Sequence, residues 1–497
     1  MDRRRFLKTT GLSALAVGLP ELGRTAETAT DHVDPAPASA EAADYTLRIG
    51  TGLIELAPDR IVSTTTYNGR FPGPLLRFEE GRQVTVDIHN DTDTPELLHW
   101  HGQLVPDDVD GAAEERTPSI PPHGMRRIAL VPGPAGFRFY HTHVRAGADL
   151  SRGLYSGQAG PVYIEPKNEP GAYDREVFLV LKEFAPLFSN VEKPYDFLAP
   201  TGIDPALRAQ AQHELQSALM HGAKPGYEVG YALFSINGRM LGEGEPIRVG
   251  RGERVLFHVL NASATENRSL ALPGHSFKVV ALDGNPVPRP AAVPVLWLGA
   301  AERISAIVEM DQPGIWVLGD VNDEDRRRGM GAVVEYAGAP NQRRGEPVWR
   351  KPAPFRWDYR RFAEPGATAV PPDEVIDMTF AELTGADHGF NRWTINGVAY
   401  DDATMPVTWR LKLGRRYRLR MKNASDDIHP IHLHRHRFEL TDIAGLPTAG
   451  VIKDVAMIGS YQTMSIDFTA DQPGLSLFHC HMQSHMDYGF MGLFQTA

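Results

Sequence analysis

Three times in this 497-residue chain the same strand-sized pattern returns, and that recurrence limits the possible folds more than any other feature. An Asn-Gly pair occurs at Asn68-Gly69, Asn237-Gly238 and Asn396-Gly397. Each is followed by a segment that opens on glycine and closes on asparagine: Gly81 to Asn90, Gly252 to Asn261 and Gly414 to Asn423. Inside them apolar residues alternate as Val84, Val86, Ile88, then Val255, Phe257, Val259, then Tyr417, Leu419, Met421. A period of two means a strand with one buried face. A second anchor also recurs. Asp311-Gln312-Pro313-Gly314 matches Asp471-Gln472-Pro473-Gly474, and Pro134-Ala135-Gly136 takes the same place in the first copy. The unit repeats roughly every 165 residues, the size of a domain rather than of a solenoid repeat. Short strands with Gly/Pro turns predict an all-β chain of three consecutive β-sandwiches. The expected bounds are 44–168, 169–345 and 346–497. Pro205 to Met220 is the main exception, a predicted helix inside a long insertion (186–230) of the second unit.

The formal charge of -11 argues against nucleic acid or an anionic membrane as a partner. With Cys480 alone there is no internal disulfide, and a lone cysteine in an exported protein implies a special use. Export is expected from the other end of the chain. Arg3-Arg4-Arg5-Phe6-Leu7-Lys8, followed by a short apolar run from Gly11 to Pro20, resembles a twin-arginine signal. A basic cytosolic N-terminus is the alternative. Ala38-Ser39-Ala40 suits cleavage, so residues 1–43 are read as signal and linker. The twin-arginine translocase is then a partner, and the mature protein is periplasmic or secreted. It is expected to be a monomer with no membrane anchor, since no later stretch is long and apolar enough to span a bilayer.

Aligning the copies exposes the chemistry. Nine residues after the strand asparagine, copy one has His99 and His101, copy three has His432 and His434, and copy two has Leu270 and Leu272. Five residues after the second glycine stand His141 and His143, then His479 and His481, against Gly319 and Val321 in copy two. With 19 histidines in the chain, chance gives about one His-x-His pair. Four pairs at matched positions point to metal. Eight imidazoles exceed what one ion takes and suit a three-copper cluster between the first and third domains. In an extended strand His479 and His481 face one way and Cys480 the other. A thiolate with two imidazoles makes a blue-copper site. His485, five residues on, and His429, three before His432, are the natural partners, whereas copies one and two carry Thr142 with Glu96 and Asp320 with Asn267.

These segments, His99-Trp100-His101-Gly102, His141-Thr142-His143, His429-Pro430-Ile431-His432-Leu433-His434 and His479-Cys480-His481 through His485, resemble the multicopper oxidases. That family includes laccases, ascorbate oxidase and bacterial copper-efflux oxidases. The resemblance spans roughly residues 45 to 497 and implies cupredoxin-like Greek-key domains and four coppers. By family pattern His429, Cys480 and His485 bind type 1 copper and His99 and His432 bind type 2. His101, His141, His143, His434, His479 and His481 bind the type 3 pair. Two positions depart from the pattern. Arg435 replaces a usual glycine, which leaves His436 as an extra histidine, read as a packing residue. The weak axial position falls on Phe490, which cannot coordinate, unless a register shift brings in Met491.

The implied reaction is one-electron oxidation of a donor, phenol or aromatic amine, coupled to four-electron reduction of O2 to water. Four coppers hold the four electrons, and the path runs from Cys480 to His479 or His481. Asp110, in an Asp-Gly pair, is either a proton-supplying acid at the cluster or a plain turn residue. Asp487 is either a second acid or an exposed loop carboxylate. A metallo-oxidase of cuprous or ferrous ions is the alternative activity. The 14 methionines form no Met-rich tract for Cu(I), while Asp426 and Asp427 are either a cation site or a solvated turn. The ligand set speaks against a copper-free scaffold, and the third domain against a two-domain nitrite reductase.

Overall fold

The computed structural model describes residues 42–167, 172–189, 202–222, 224–337, 347–401 and 403–497. The export-signal segment lies outside them. Each of three consecutive segments contributes two sheets with the same wiring. In the first, strands Tyr45–Ala57 and Val84–Asn90 pair in parallel, and Leu76–Glu79 pairs in parallel with Ala159–Glu165 in the other sheet. The second repeats this with Arg175–Ser189 on Arg254–Asn261 and Ile247–Val249 on Gly331–Tyr336. The third repeats it with Glu374–Asp387 on Arg416–Asn423 and Trp409–Leu411 on Met491–Thr496. The remaining ladders are antiparallel.

The alternation read from the sequence is what closes each sandwich. Val84, Val86 and Ile88 are buried and pack with Trp100, Tyr140 and Val162 of the facing sheet. Each such aliphatic side chain contributes about 1.5–3 kcal/mol when fully buried. The asparagine ending each repeat strand has one job done three times. Its Nδ2 donates to the carbonyls of Thr94 and Ile120 from Asn90, of Glu266 and Leu298 from Asn261, and of Asp427 and Gly459 from Asn423. This pins the loop that leads into the next strand, and in the outer domains that strand carries the first histidine pair. Asn68, Asn237 and Asn396 share a φ of 54°, the left-handed turn conformation their Asn-Gly pairs predict.

The insertion is described at 186–189, 202–222 and 224–230. Strand Arg175–Ser189 runs into it and pairs antiparallel with Glu228–Ile236. The predicted helix is present as Pro205–Met220, capped by Asp204 and burying none of its residues. The insertion rests on the third domain: Asp204 N–H donates to Tyr461 O at 2.7 Å and Tyr227 N–H to Gly389 O at 2.8 Å. Phe188 and Tyr227 pack on Phe390, which stacks on Tyr488 at 4.4 Å. No helix among the described residues is long and apolar enough to cross a membrane.

Candidate metal centre

One strand, Gly474–Cys480, serves two sites. It lies between Met491–Thr496 and His429–Leu433, with Cys480 opposite Ile431 and His479 opposite His432. In the first domain His99 stands opposite His141 in the same manner. On one face, Cys480 Sγ is 3.6 Å from His429 Nδ1 and 3.5 Å from His485 Nδ1, and the two nitrogens are 3.2 Å apart. His429 Nε2 meets Ser425 Oγ at 2.8 Å, and Ser425 is held by the repeat asparagine, Asn423. His485 sits on the short helix Gln483–Asp487 with Trp393 against its ring at 4.1 Å. Burial pushes the Cys480 thiol well up and the His429 imidazole down to about 3, so both are neutral without metal. Phe490 is fully buried, its ring 4.8 Å from that of His429. Met491 turns the other way, into an apolar cluster with Leu477 and Leu493, and its Sδ is 3.4 Å from Arg145 Nη2.

On the opposite face the four histidine pairs converge between the first and third domains. Ligand atoms of His143, His434 and His479 lie within 4.8 Å of one another, as do those of His99, His432 and His434 and those of His99, His101 and His141. His434 Nε2 is 3.0 Å from His479 Nε2, and His101 Nδ1 is 3.3 Å from His141 Nε2. The His481 ring lies 5.1 Å from those of both His101 and His141. The outward nitrogens are tied down. Nδ1 of His141 reaches Thr142 O at 2.7 Å, that of His479 reaches Cys480 O at 2.8 Å, and that of His432 reaches Asp454 O at 2.7 Å. Such partners set the tautomer and leave the other nitrogen free to ligate. His99 Nε2, His432 Nε2 and both ring nitrogens of His143 and His481 are buried with no hydrogen-bond partner. Orphaned buried nitrogens are costly unless something accepts their lone pairs. Burial holds the imidazoles of His101, His141, His143, His432, His434 and His481 well below their ordinary range, hence neutral and able to ligate. The donor set of neutral imidazoles and one thiol fits copper.

Asp110 is both a turn residue and a partner of the cluster. It ends the turn Asp107–Asp110, and a Cβ on the following Gly111 would lie 1.9 Å from Leu98 O, so only glycine fits. Asp110 Oδ2 is 3.0 Å from His99 Nδ1 and 2.8 Å from His434 Nδ1. Sequence reasoning missed its neighbour Glu115. This buried carboxyl is 3.4 Å from His434 Nδ1 and accepts from Leu477 N–H at 2.6 Å. Burial and the Asp110 charge push it well up. The adjacent acids Glu114 and Glu115, four and five residues after Asp110, were the available signal. Asp487 accepts from Ala146 N–H, Gly147 N–H and Gln483 Nε2 at 3.0, 2.7 and 2.8 Å, and burial pushes it up to about 6. A cavity of about 230 Å³ lined by Leu97, Glu114, His143, Arg145 and Met405 opens onto the cluster.

Arg435 and the extra histidine beside it have structural reasons. Arg435 has a φ of 59°, the region that favours glycine and costs another residue about 1–2 kcal/mol. Its guanidinium donates to Val105 O and Pro473 O, both at 2.8 Å, which offsets that cost and ties the first domain to the third. His436 is buried with Nδ1 3.0 Å from His434 O and packs on Phe468, outside both metal clusters.

Three family-level sequence models described as multicopper oxidase match residues 52–169, 209–336 and 370–497. The chain is 29% identical over 503 residues to the multicopper oxidase MmcO of Mycobacterium tuberculosis, covering 98% of this chain and 95% of that protein. Its fold matches the laccase from Botrytis aclada with a TM-score of 0.70 at 18% identity, covering 90% of this chain and 87% of that one. It also matches a Campylobacter jejuni multicopper oxidase described as a metallo-oxidase, with a TM-score of 0.66 at 21% identity and 93% of each chain covered. With three cupredoxin-like domains, and buried His-x-His pairs in the outer two converging behind the cysteine strand, the chain belongs to the multicopper oxidases, a family of copper-dependent oxidoreductases.

Proposed function

We propose that this protein is a laccase-like oxidase. It takes single electrons from a phenol or aromatic amine at a single-copper site and uses four of them, with four protons, to reduce O2 to two waters at a three-copper cluster. His429, Cys480 and His485 would hold the type 1 ion, and His99 and His432 the type 2 ion. His101, His141, His143, His434, His479 and His481 would hold the type 3 pair. Bound copper supplies the one-electron couples. The observation that carries this reading is the double use of one strand: Cys480 faces His429 and His485 while its covalent neighbours His479 and His481 face the other histidines. Asp110 orients His99 and His434. Asp110 and Glu115, whose carboxyls reach His434, would serve the proton side of the reaction, with Asp487 as a further acid. Phe490, buried beside His429, would offer the type 1 ion no donor atom.

A second reading, oxidation of cuprous or ferrous ions, is favoured by the charge around His485. Asp427 Oδ2 is 3.9 Å from His485 Nε2. Glu382 is pushed up to about 8 by burial and by the carboxylates of Asp426 and Glu228, the last from the insertion. That edge attracts cations, an anilinium included. Export through the twin-arginine route to the periplasm completes the proposal. The test is oxygen uptake by the copper-loaded protein with a phenol, a diamine, Cu(I) and Fe(II) in turn, alongside metal analysis. About four coppers per chain and uptake with the organic donors are expected. Uptake with the metal ions alone moves the assignment to the second reading, and a single copper per chain overturns both.

A further inference from the structure

The middle domain has no histidine at the ligand positions, yet it reaches the cluster. Asp454, at the start of strand Val455–Ile458 in the third domain, is fully buried where all three domains meet. Its Oδ1 lies 3.2 Å from His101 Nε2, and its carbonyl oxygen takes His432 Nδ1 at 2.7 Å. The rings of His101 and His432 stack at 3.8 Å, so one residue braces a histidine from each outer domain. Asp454 is itself gripped by the middle domain. Arg303 donates to both carboxylate oxygens, Nη1 to Oδ1 at 2.7 Å and Nη2 to Oδ2 at 2.6 Å. Arg138 of the first domain adds a contact at 3.4 Å. Asp283, also of the middle domain, accepts the backbone N–H of Asp454 at 3.3 Å and of Val455 at 3.1 Å. The junction allows no slack. A Cβ at Gly102, the residue after His101, would lie 2.6 Å from Asp454 Oδ2 and 2.7 Å from Arg303 Nη2.

We propose that Arg303, acting through Asp454, is a positioning device by which the ligand-free middle domain holds His101 and His432 in the geometry the copper cluster needs. A planar guanidinium fork fixes the plane of a carboxylate where a single ammonium cannot. A carboxylate so fixed can only accept, so His101 must present an N–H at Nε2 and keep Nδ1 free, facing His141. The middle domain on this view is part of the site.

The inference rests on the cluster reading, and the test separates the two. Copper affinity of the cluster and of the blue site is measured separately, by chelator competition on the full chain, following the blue absorption and the paramagnetic signal of the remaining copper. Asp454→Asn places an amide N–H against either Arg303 or His101. It is expected to weaken cluster copper about 10–100-fold, the usual effect of removing an outer partner of a metal ligand, while the blue site is unchanged. Arg303→Lys keeps the charge but loses the fork and should show the same selective loss, smaller. It also carries the test if Asp454→Asn does not fold. Asp467→Asn is the matched control. Asp467 is likewise a buried carboxylate between two arginines, Arg416 and Arg418, and has no hydrogen bond to a cluster histidine. It should lower the melting temperature without touching cluster affinity. Unchanged cluster affinity in the folded Asp454 and Arg303 variants, or an equal loss in the Asp467 control, overturns the inference. A wild-type chain that binds a single copper overturns the cluster reading instead.

Discussion

Replacing Phe490 with methionine isolates the axial position of the proposed type 1 site. The ring is fully buried against His429 and Phe380, each at 4.8 Å, and against Trp393 at 5.9 Å. Truncation to alanine would cost about 3–5 kcal/mol. Methionine is flexible and refills most of the space, so the fold should lose less than about 1.5 kcal/mol. Its thioether would then face the Cys480, His429 and His485 ligand atoms, where the native ring offers no donor. A weak axial sulfur favours Cu(II) over Cu(I). A tenfold preference, about 1.4 kcal/mol, lowers a one-electron potential by about 59 mV, and a fall of that size is expected in Phe490→Met. Oxidation of poorly reducing donors should slow with it. Met491→Leu is the control, because Met491 packs with Leu477 and Leu493 on the other face of the strand. Its potential should stay within about 15 mV, a quarter of that step. A redox titration followed through the blue absorption reads both variants. A shift in Met491→Leu with Phe490→Met silent would refute the placement of the two side chains.

Cys480→Ser should abolish the blue band and donor oxidation while leaving about three coppers bound. Because the buried thiol is protonated in the metal-free pocket, copper binding at pH 7 should release about one proton more in the wild type than in this variant, read by calorimetry in buffers of different ionisation heat. Asp110→Asn removes the charge of the carboxylate that meets His434 Nδ1 at 2.8 Å, while His99 Nδ1 keeps its bond to the Asp110 backbone carbonyl at 2.8 Å. Oxygen reduction should slow and type 1 reduction should not, in stopped-flow measurement of each half-reaction. Equal slowing, or none, would reduce Asp110 to its turn role. In the middle domain Asp320, at the position matching Cys480, is pushed up to about 7, mainly by burial, against an ordinary value of 3.8. A raised acid contributes stability that is full below its unfolded value and is lost as pH rises through the folded one. Asp320→Asn should therefore stabilise the protein above pH 7, by up to about 4 kcal/mol, and the gain should shrink towards pH 4. A gain independent of pH would refute the assignment.

Much of this site is legible in one dimension, and the reason is the strand. A period of two assigns faces without knowledge of the fold, so Cys480 and the flanking His479 and His481 separate into two sites from spacing alone. Internal repetition supplies the comparison that a single chain otherwise lacks. Leu270, Leu272, Gly319 and Val321 mark the middle copy as ligand-free, and the repeat asparagines mark where each ligand strand begins. The helix Pro205–Met220 was readable for a similar reason: its cap and composition are local.

What the sequence leaves open depends on distances between residues far apart in the chain. Phe490 and Met491 are adjacent, and only the packing of Trp393 and Phe380 decides which of them faces His429. Glu115 becomes a partner of His434 because two domains meet there, over 300 residues apart in sequence. The insertion finds its place beside Tyr488 through surface contacts that carry no periodic signal. Asp454 and Arg303 look like ordinary charges on two separate strands. Burial makes them a pair, since neither charge is tolerable alone in an interior of low polarity. Which histidines share a face is thus a property of strand spacing, while the contacts that hold their rings come from buried residues of three domains.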